Sequence, residues 1–341
     1  MPWACARCGA DRVPAVLEFT ALQRLCAIEG LTALAVIAAP AQLDPGGMDQ
    51  LASDGVGDMG WLLEHRAMRL VPSALKPGIT RILAVAWAYH PEAPTAELRR
   101  ARYAAGKDYH VILRQKLARV ARHLDADLGP GLRHRACVDS APLNERTLAA
   151  LAGLGWIGRN ALLISPTQGS YRFLGFLLSD APLELHDGGE SAERCGACTR
   201  CETACPTKAL VGRRVLTERC ISYLTIEHQG VIPQALAAQM SGWWYGCDLC
   251  QEVCPWNRFA PPAADPRLTG DSDDQDTLFA VRADNFDLHF AARPIRHITF
   301  PMFRRNLLCA LFSLGRRDAV AAFPDLDLEL VQAQRRELLG G

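Results

Sequence analysis

Residues 195–206 read CGACTRCETACP, and this stretch determines how the second half of the chain is built. Its four cysteines are spaced by three, three and four positions, and a proline follows the last one. An incomplete second copy, CDLCQEVCP, stands at residues 247–255, with Trp244 in the place of its missing first cysteine. Two copies of one spacing indicate thiolates that act together in groups.

The spacing CxxCxxCxxxCP is typical of modules that carry two [4Fe–4S] clusters. Three thiolates of one copy bind one cluster, and the thiolate before the proline reaches the other. Cys220, in RCISYLT between the copies, is the candidate for the missing ligand. We predict one cluster on Cys195, Cys198, Cys201 and Cys254 and a second on Cys205, Cys220, Cys247 and Cys250. The alternative is a pair of zinc sites, since zinc also binds four thiolates, but three cysteines within seven residues followed by Cys-Pro favour clusters.

The composition of the whole chain indicates a cytoplasmic protein with a sizeable core. Of its 341 residues 49% are hydrophobic, and 37 basic side chains balance 37 acidic ones. Its 13 cysteines are expected to be reduced, because the cytoplasm disfavours structural disulfides. No apolar run reaches the roughly 18–20 residues that span a bilayer, and the start MPWACARCGADR lacks the apolar core of a signal peptide. We therefore expect a soluble monomer without a membrane partner.

Five cysteines remain besides the eight predicted cluster ligands. Cys5 and Cys8 form a lone CxxC, for which a disordered or mis-assigned start is favoured over half a zinc site. Cys26, Cys137 and Cys309 lie in apolar surroundings and are expected to be ordinary buried thiols.

Hydrophobic periodicity predicts an α/β arrangement before the cysteines. Continuous apolar runs indicate buried strands, and spacing of three and four indicates helices. Strands are expected at 31–39, 81–89, 135–139, 161–165 and 171–180, the last two completing a sheet, and helices at 13–30, 108–128 and 143–153.

Composition divides the chain into five parts. They are an uncertain or disordered start at 1–12, an α/β domain at 13–180, a ferredoxin-type two-cluster module at 181–260, a connector at 261–293 and a helical tail at 294–341. Within the connector, the acidic segment 261–276 contains prolines and is expected to be exposed.

A two-cluster module alone suits an electron carrier, but the domain before it suggests a catalytic centre that receives single electrons. The candidates for that centre are flavin, cobalamin and another protein. The segment GLGWIG at 153–158 has the spacing of a dinucleotide fingerprint, yet it follows a helical segment instead of a strand. It is therefore expected to be a turn with close backbone packing.

Asp139, in VDSAP, stands where an apolar strand ends, which is a common place for catalytic groups. The alternative is that Asp139 or the adjacent serine caps the following helix. The residues alone leave both possibilities open.

Several segments together resemble the epoxyqueuosine reductases of the QueG type. They are RLVPSALKPGITRILAVAWAYHPE, ARYAAGKDYHVILRQKL, VDSAPLNERTLAALAGLGWIGRN, GSYRFLGFLLSD, CGACTRCETACPTKAL, RCISYLTIE and GCDLCQEVCPWN. The resemblance runs in collinear order over about residues 13–258 and is more specific than the cysteine spacing.

The resemblance implies a cobalamin-dependent enzyme with two [4Fe–4S] clusters that reduces epoxyqueuosine to queuosine at the wobble position of tRNA. It implies a nitroreductase-like cobalamin domain at 13–180 and a short HEAT-like tail. Asp139 takes the position of the proton donor of the family. The implied cobalamin contacts are Arg69, Asp139, Leu163, Leu174, Ser222, Cys247 and Asp248.

Two departures from the family pattern stand out. Ala101 occupies a place where some members carry a cysteine near the cobalt, so a protein thiolate on cobalt is not expected here. The segment LTIEHQG replaces the LTIELKG of many members, which removes or moves a basic tRNA contact.

The expected mechanism needs electrons at carbon and a proton at the departing oxygen. A neutral Asp139 with a raised pKa would supply that proton. The expected reductant is an electron donor of the flavodoxin or ferredoxin class. Two alternatives are a reductive dehalogenase-like enzyme, which shares the cofactors, and a non-catalytic ferredoxin-type carrier.

Three basic groups are candidates for a phosphate-binding face toward tRNA. They are Arg99, Arg100, Arg102, Lys107, Arg114, Lys116, Arg119 and Arg122; then Lys208, Arg213, Arg214 and Arg219; and finally Arg304, Arg305, Arg316 and Arg317. The alternative is that each group forms an ordinary solvated helix face.

Overall fold

The computed structural model describes residues 16–89, 96–189, 191–263, 265–270, 273–324 and 327–340. The predicted start at 1–12, with Cys5 and Cys8, lies outside these ranges. The strands are β1 (Ala33–Ala38), β2 (Arg81–Ala88), β3 (Arg99–Arg100), β4 (His134–Cys137), β5 (Trp156–Ile157), β6 (Leu163–Ile164), β7 (Arg172–Ser179), β8 (Leu210–Val211), β9 (Arg214–Val215) and β10 (Trp243–Tyr245).

The main sheet has the strand order β1-β2-β7-β4, and each neighbouring pair is antiparallel. Its central strands follow the apolar runs predicted at 81–89 and 171–180. The strand predicted at 161–165 does not join this sheet, because β6 instead pairs with β5 in a separate two-stranded ribbon. That part of the prediction was wrong, since a short apolar run does not specify its pairing partner.

The helices are α1 (Phe19–Ile28), α2 (Gly46–Asp54), α3 (Trp61–Glu64), α4 (Arg66–Leu70), α5 (Pro72–Leu75), α6 (Tyr109–Leu128), α7 (Glu145–Leu151), α8 (Arg200–Ala204), α9 (Ile221–Ile226), α10 (Gln234–Ala237), α11 (Leu249–Glu252), α12 (Gln275–Ala280), α13 (Phe286–His289), α14 (Phe300–Ser313), α15 (Arg317–Ala321) and α16 (Glu329–Leu339). Short 3-10 turns lie at Arg102–Ala104, Thr217–Arg219, Pro255–Phe259, Pro266–Leu268 and Pro294–His297. Over the described ranges, every helix is too short or too polar to cross a bilayer.

Helix α6 covers one face of the main sheet. Its apolar positions recur at helical spacing, and Leu113, Leu117 and Leu124 are fully buried. A Cβ at Gly175 of β7 would lie 3.0 Å from Leu113, so glycine lets the helix pack closely on the strand. Asp108 caps the helix, because its carboxylate accepts a hydrogen bond from the amide of His110 at 2.9 Å. This cap sets the direction of the first helical turn, which becomes important at the site.

Close backbone contacts explain the glycines of the segment at 153–158. A Cβ at Gly155 would lie 2.2 Å from the carbonyl oxygen of Ile164, and one at Gly153 would lie 2.5 Å from Gly188. The predicted close backbone packing is confirmed, but the turn occupies only the start of the segment, because Trp156–Ile157 form strand β5.

Cys26, Cys137 and Cys309 are all buried, which confirms the prediction of ordinary core thiols. Trp244 is also fully buried, with its ring 5.5 Å from that of Phe303. The position that a complete second cysteine copy would use is therefore a core position joining the cluster module to the tail.

The acidic composition of the connector predicted that it would be exposed, but some of its acidic side chains are buried. Asp273 is paired with Arg100 at 2.6 Å and with Arg293 at 2.9 Å, and its side chain is only 8% exposed. Asp265 lies 3.6 Å from Lys116 and 2.7 Å from Arg267. Asp273 and Asp265 thus pair with Arg100 and Lys116, two buried cations from a distant part of the sequence.

Burial and internal ion pairs contradict much of the prediction of a phosphate-binding face. Arg304 and Arg305 are fully buried in α14. Arg305 donates hydrogen bonds to the carbonyl oxygens of Leu224, His228 and Gly230 at 2.6–2.9 Å, which anchors the chain after α9 to the tail. In the first group, Arg99, Arg100, Lys116 and Arg119 are all held in ion pairs within the chain.

Candidate functional site

The first group of predicted cluster ligands lines one small cavity. Cys195, Cys198, Cys201 and Cys254 surround it, together with Pro255 and neighbouring side chains. The short helix α8 begins after Cys198, and the second copy supplies Cys254 from the end of α11. The structure thus brings together the four thiols that the spacing assigned to one cluster.

The second group converges in the same module. Burial raises the pKa of Cys250, and the thiols of Cys220, Cys201 and Cys205 add to that rise. Burial also raises the pKa of Cys247, with further contributions from Cys250 and Cys220. The packing of the elements agrees with this: α8, which ends just before Cys205, contacts α11, which holds Cys250, and α9, which follows Cys220, contacts β10, which leads to Cys247.

Four thiolates can bind one zinc ion or the four irons of a cubane cluster. Across the part of the chain that the structure describes, no three His, Cys, Asp or Glu side chains are arranged to hold one metal ion. A cubane cluster spreads its thiolates over four irons, so it does not require the sulfurs to meet at a single ion.

Asp139 follows β4 in a left-handed backbone conformation, with a φ of +55°. Its Oδ2 accepts hydrogen bonds from the Tyr109 hydroxyl at 2.6 Å and from His110 Nε2 at 2.9 Å. Its backbone amide donates to Oε1 of Glu145 at 2.6 Å. The following helix, α7, has Asn144 at its N-cap position, so the alternative role of Asp139 as a helix cap is wrong.

The charges around Asp139 differ from the expectation of a neutral acid. Partial desolvation alone would raise the pKa of Asp139, but the hydrogen bonds from His110 and Tyr109 bring it below its ordinary value. Burial alone would lower the pKa of His110, but hydrogen bonds to Asp108 and Asp139 raise it to about 9. The predicted raised pKa of Asp139 was therefore wrong: at neutral pH the carboxyl is ionised and the imidazole holds the proton.

Three further charged side chains complete this group. Burial, followed by the charge of Asp139, raises the pKa of Glu145 to about 8. Desolvation lowers the pKa of Arg69 and of Arg146, and Asp139 and Glu145 partly restore both values. Arg69 is 8% exposed and stacks over Trp61 at 5.2 Å, and its buried Nε has no hydrogen-bond partner within the described ranges. A buried guanidinium with a free donor is suited to a ligand that accepts hydrogen bonds.

The expected cobalamin contacts fall on two sides of the site. Leu163 of β6 and Leu174 of β7 pack in one hydrophobic cluster with Leu70, the neighbour of Arg69. Ser222, Cys247 and Asp248 belong to the cysteine side. Asp248 is 2% exposed and accepts a hydrogen bond from the amide of Arg102 at 2.7 Å, and burial raises its pKa to about 6.

Aromatic residues connect these two sides. The ring of Tyr103 lies 6.1 Å from the rings of both Tyr109 and Tyr245. Strand β10, which leads to Cys247, pairs with β3, and the Ala101 amide donates to the Tyr245 carbonyl oxygen at 2.7 Å. Ala101 is 1% exposed, so this departure from the family pattern lies in packed core.

The segment LTIEHQG, which differs from the family pattern, contacts the α/β part of the chain. His228 Nδ1 lies 2.9 Å from Asp58 Oδ2, and the Gln229 amide donates to the same oxygen at 3.1 Å. A Cβ at Gly57 would lie 2.1 Å from the Tyr223 hydroxyl, so glycine is needed for this close approach. The altered segment therefore joins two parts of the chain.

Sequence reasoning missed Tyr109, His110 and Glu145. A signal was present, because the polar residues of GKDYH stand at the start of a long amphipathic helix. Nothing in the sequence, however, showed that this first turn meets the end of β4.

Comparison with known families agrees with both halves of the site. The family described as "Epoxyqueuosine reductase QueG, DUF1730" matches residues 69–140, and "4Fe-4S double cluster binding domain" matches residues 194–257. The second match confirms the prediction of a two-cluster [4Fe–4S] module and excludes the zinc alternative.

Two relatives cover most of the chain. The epoxyqueuosine reductase of Vibrio cholerae is 40% identical over 276 residues, which are 75% of this chain and 72% of that protein. The epoxyqueuosine reductase of Pseudomonas aeruginosa is 38% identical over 292 residues, which are 82% of this chain and 78% of that protein. Both relatives belong to the family that the sequence motifs resemble.

Solved structures give the same result. Epoxyqueuosine reductase from Bacillus subtilis, with its aspartate catalytic loop swung out of the active site, has a TM-score of 0.79 at 26% identity, over 92% of this chain and 87% of that one. An epoxyqueuosine reductase with an epoxyqueuosine-modified tRNA-Tyr stem loop has a TM-score of 0.76 at 25% identity, over 94% and 98%. The sequence matches and the shared mixed α/β architecture lead to one conclusion: this chain belongs to the epoxyqueuosine reductase family.

Proposed function

We propose that this chain reduces epoxyqueuosine to queuosine at the wobble position of tRNA, using cobalamin and two [4Fe–4S] clusters. The observation that carries the proposal is an acid–base group, Asp139 with Tyr109 and His110, in the same chain as two sets of four cysteines. The related structure with an epoxyqueuosine-modified stem loop supports the substrate. A plain electron carrier would need only the cysteines.

Asp139 is the residue that gives the proton to the departing oxygen. Its side chain is 59% exposed, so it is accessible to a substrate, while Tyr109 and His110 fix its position. The left-handed backbone and the amide contact with Glu145 hold the loop after β4 in this place. A relative whose aspartate catalytic loop swings out of its active site supports a functional loop here.

Cobalamin would be held between the two sides of the site. Arg69, Asp139, Leu163 and Leu174 are its contacts on the α/β side, and Ser222, Cys247 and Asp248 are its contacts on the cysteine side. The unpartnered Nε of Arg69 supports this assignment, because a corrin carries amide and carboxyl-derived oxygens at its edge. When bound, cobalamin supplies electrons to the carbon of the substrate.

The cysteines take the ligand roles that the spacing suggests: Cys195, Cys198, Cys201 and Cys254 for one cluster and Cys205, Cys220, Cys247 and Cys250 for the other. Because Cys247 is also a proposed cobalamin contact, the second cluster would be the one that supplies electrons to the catalytic centre. The first cluster would then take electrons from the external donor.

The electron donor is a one-electron carrier of the flavodoxin or ferredoxin class. Arg194 and Arg200 flank the first cysteines and are exposed, and Arg258 is exposed near Cys254. These cations favour an acidic partner at this surface. The rate of reduction of the clusters by such a donor should therefore fall as ionic strength rises.

The remaining organisation follows the family. We propose a nitroreductase-like domain at 13–180, a ferredoxin-like module at 181–260, a connector at 261–293 and a HEAT-like tail at 294–341, in a monomer that acts in the cytoplasm. The phosphate-binding face uses exposed cations such as Lys107, Arg114 and Arg219, for which no ion pair is found among the described residues.

Anaerobic reconstitution with iron, sulfide and cobalamin tests this function. The expected result is a protein that retains corrin and cluster absorption and converts epoxyqueuosine-tRNA to queuosine-tRNA under a strong reductant. Retention of clusters without cobalamin or turnover would instead establish an electron carrier.

A further inference from the structure

We propose that His110 is a positioning residue that stores the proton and passes it to Asp139, so that Asp139 is recharged from the imidazole during reduction. This inference rests on the proposed function. It places the proton of the resting enzyme on His110 instead of on Asp139.

The geometry of the imidazole carries the inference. His110 Nδ1 lies 2.7 Å from Asp108 Oδ1, and Nε2 lies 2.9 Å from Asp139 Oδ2. Each ring nitrogen thus faces a carboxylate, and while both carboxylates are ionised the two contacts are hydrogen bonds only when both nitrogens carry hydrogen. The doubly protonated ring is the form that satisfies both partners.

The position of the ring is fixed independently of Asp139. Asp108 caps α6 through the amide of His110, and its own amide donates to the carbonyl oxygen of Ala292 at 2.7 Å. The imidazole stacks on Tyr109, with ring centroids 4.0 Å apart. His110 is therefore held in place by the first turn of α6, while Asp139 sits on a loop.

Several charged groups influence His110 and Asp139 from the elements packed around them. They are Asp108 at the N-cap of α6, with Arg114 acting on Asp108, then Glu145 and Arg146 from α7, Arg69 from α4, and His297 from the turn at Pro294–His297. Against burial, hydrogen bonds to Asp108 and Asp139 raise the pKa of His110, and hydrogen bonds from His110 and Tyr109, with the charge of Arg146, lower the pKa of Asp139. At neutral pH the proton thus resides on the ring.

The chemistry balances in the following way. Reduction of the epoxide breaks both carbon–oxygen bonds, forms a carbon–carbon double bond, and consumes two electrons and two protons to release water. The bound cofactor supplies the electrons. Nε2 of His110 gives its proton to Asp139, and Asp139 gives a proton to the oxygen.

The ring then returns to its charged state. After proton loss it keeps hydrogen on Nδ1, where Asp108 accepts it, and Nε2 becomes an acceptor for the Asp139 carboxyl. The His110 side chain is 25% exposed, so water can return a proton to it for the second transfer. One ring thus serves both protonations.

Titration of the histidines tests the inference without turnover. In cluster-replete protein labelled with ¹⁵N-histidine, His110 should titrate near pH 9, and Asp139→Asn should move its pKa toward the ordinary value of about 6.5. A wild-type His110 that titrates near 6.5 would overturn the proposal. Failure of the enzyme to act on epoxyqueuosine would refute the proposed function instead, and this titration would still be informative.

Single-turnover rates against pH give the second readout. The wild-type rate should fall as pH rises through about 9, because the ring then loses its stored proton. His110→Gln should lower the rate at neutral pH by about 10²-fold, with an unchanged KM, and the rate should recover toward acidic pH as Asp139 itself becomes protonated. A lower rate with the wild-type pH profile would mean a structural role and would overturn the proposal.

Two variants control for folding and for generic effects. Asp108→Asn keeps the helix cap and the imidazole ring but removes one negative partner of the ring. The pKa of His110 should therefore fall, and the decrease of the rate at high pH should begin at a lower pH than in the wild type. His123→Gln makes the same substitution further along α6 and should match the wild type in rate and profile. If the rate of Asp108→Asn decreases at the same pH as that of the wild type, His110 is not the proton store.

Discussion

Replacing Asp139 by asparagine separates proton donation from structure at the centre of the site. Asn tolerates the left-handed backbone at this position about as well as Asp does. Its amide oxygen can still accept hydrogen bonds from Tyr109 and His110, and its backbone amide still reaches Glu145. We therefore expect the fold, the clusters and cobalamin binding to survive in Asp139→Asn.

The rate should not survive, because an amide has no acidic proton to give. Loss of a general acid costs about 10²–10⁴-fold in rate, or about 3–5 kcal/mol of transition-state stabilisation. The variant also removes a negative charge that raises the pKa of His110, so the neighbouring ring is a poorer proton store at neutral pH. The expected loss therefore lies toward the upper end of the range.

The assay is single turnover of epoxyqueuosine-tRNA under a strong chemical reductant, with nucleoside analysis of the product. Visible spectra before the reaction establish that clusters and corrin are present in equal amounts in wild type and variant. Asp127→Asn, an exposed residue on α6, is the matched control and should turn over normally. Near-normal turnover in Asp139→Asn would refute the assigned role and leave the proton donor elsewhere.

Three further substitutions test separate parts of the account. Cys220→Ala should remove one cluster only, reducing iron from about eight to about four per chain, and eight remaining irons would disprove the assigned ligand. Arg69→Leu should weaken retention of cobalamin by cluster-replete protein while cluster absorption stays unchanged; equal retention would remove Arg69 from the contacts. Trp244→Ala should lower the free energy of unfolding by about 3–5 kcal/mol in chemical denaturation, because the fully buried ring leaves a cavity. Leu288→Ala, at a residue 80% exposed, is its control and should change that free energy little.

Local patterns predicted much of the fold. The central strands of the sheet and the long helix α6 followed directly from apolar runs and helical spacing, since each is defined by its own segment. Strand pairing was harder to predict, because the residues of β6 do not by themselves specify that it pairs with β5. The cysteine grouping was predictable because a cluster imposes a fixed spacing on its ligands.

Charged residues were the hardest to predict. Composition made Arg304 and Arg305 look like surface cations, yet both are fully buried in α14. Arg100 pairs with Asp273 across 173 residues of sequence, so no local pattern reveals it. The same limitation applied to His110, whose pKa depends on Asp139 being brought to the first turn of α6 by the fold.

Product analysis of the reconstituted protein tests the central claim most directly. Anaerobic protein with both clusters and cobalamin, supplied with epoxyqueuosine-tRNA and a strong reductant, should convert the modified nucleoside to queuosine with the loss of one oxygen atom. Protein that lacks only cobalamin should give no conversion. Intact epoxyqueuosine after incubation with the fully loaded protein would contradict the proposed function.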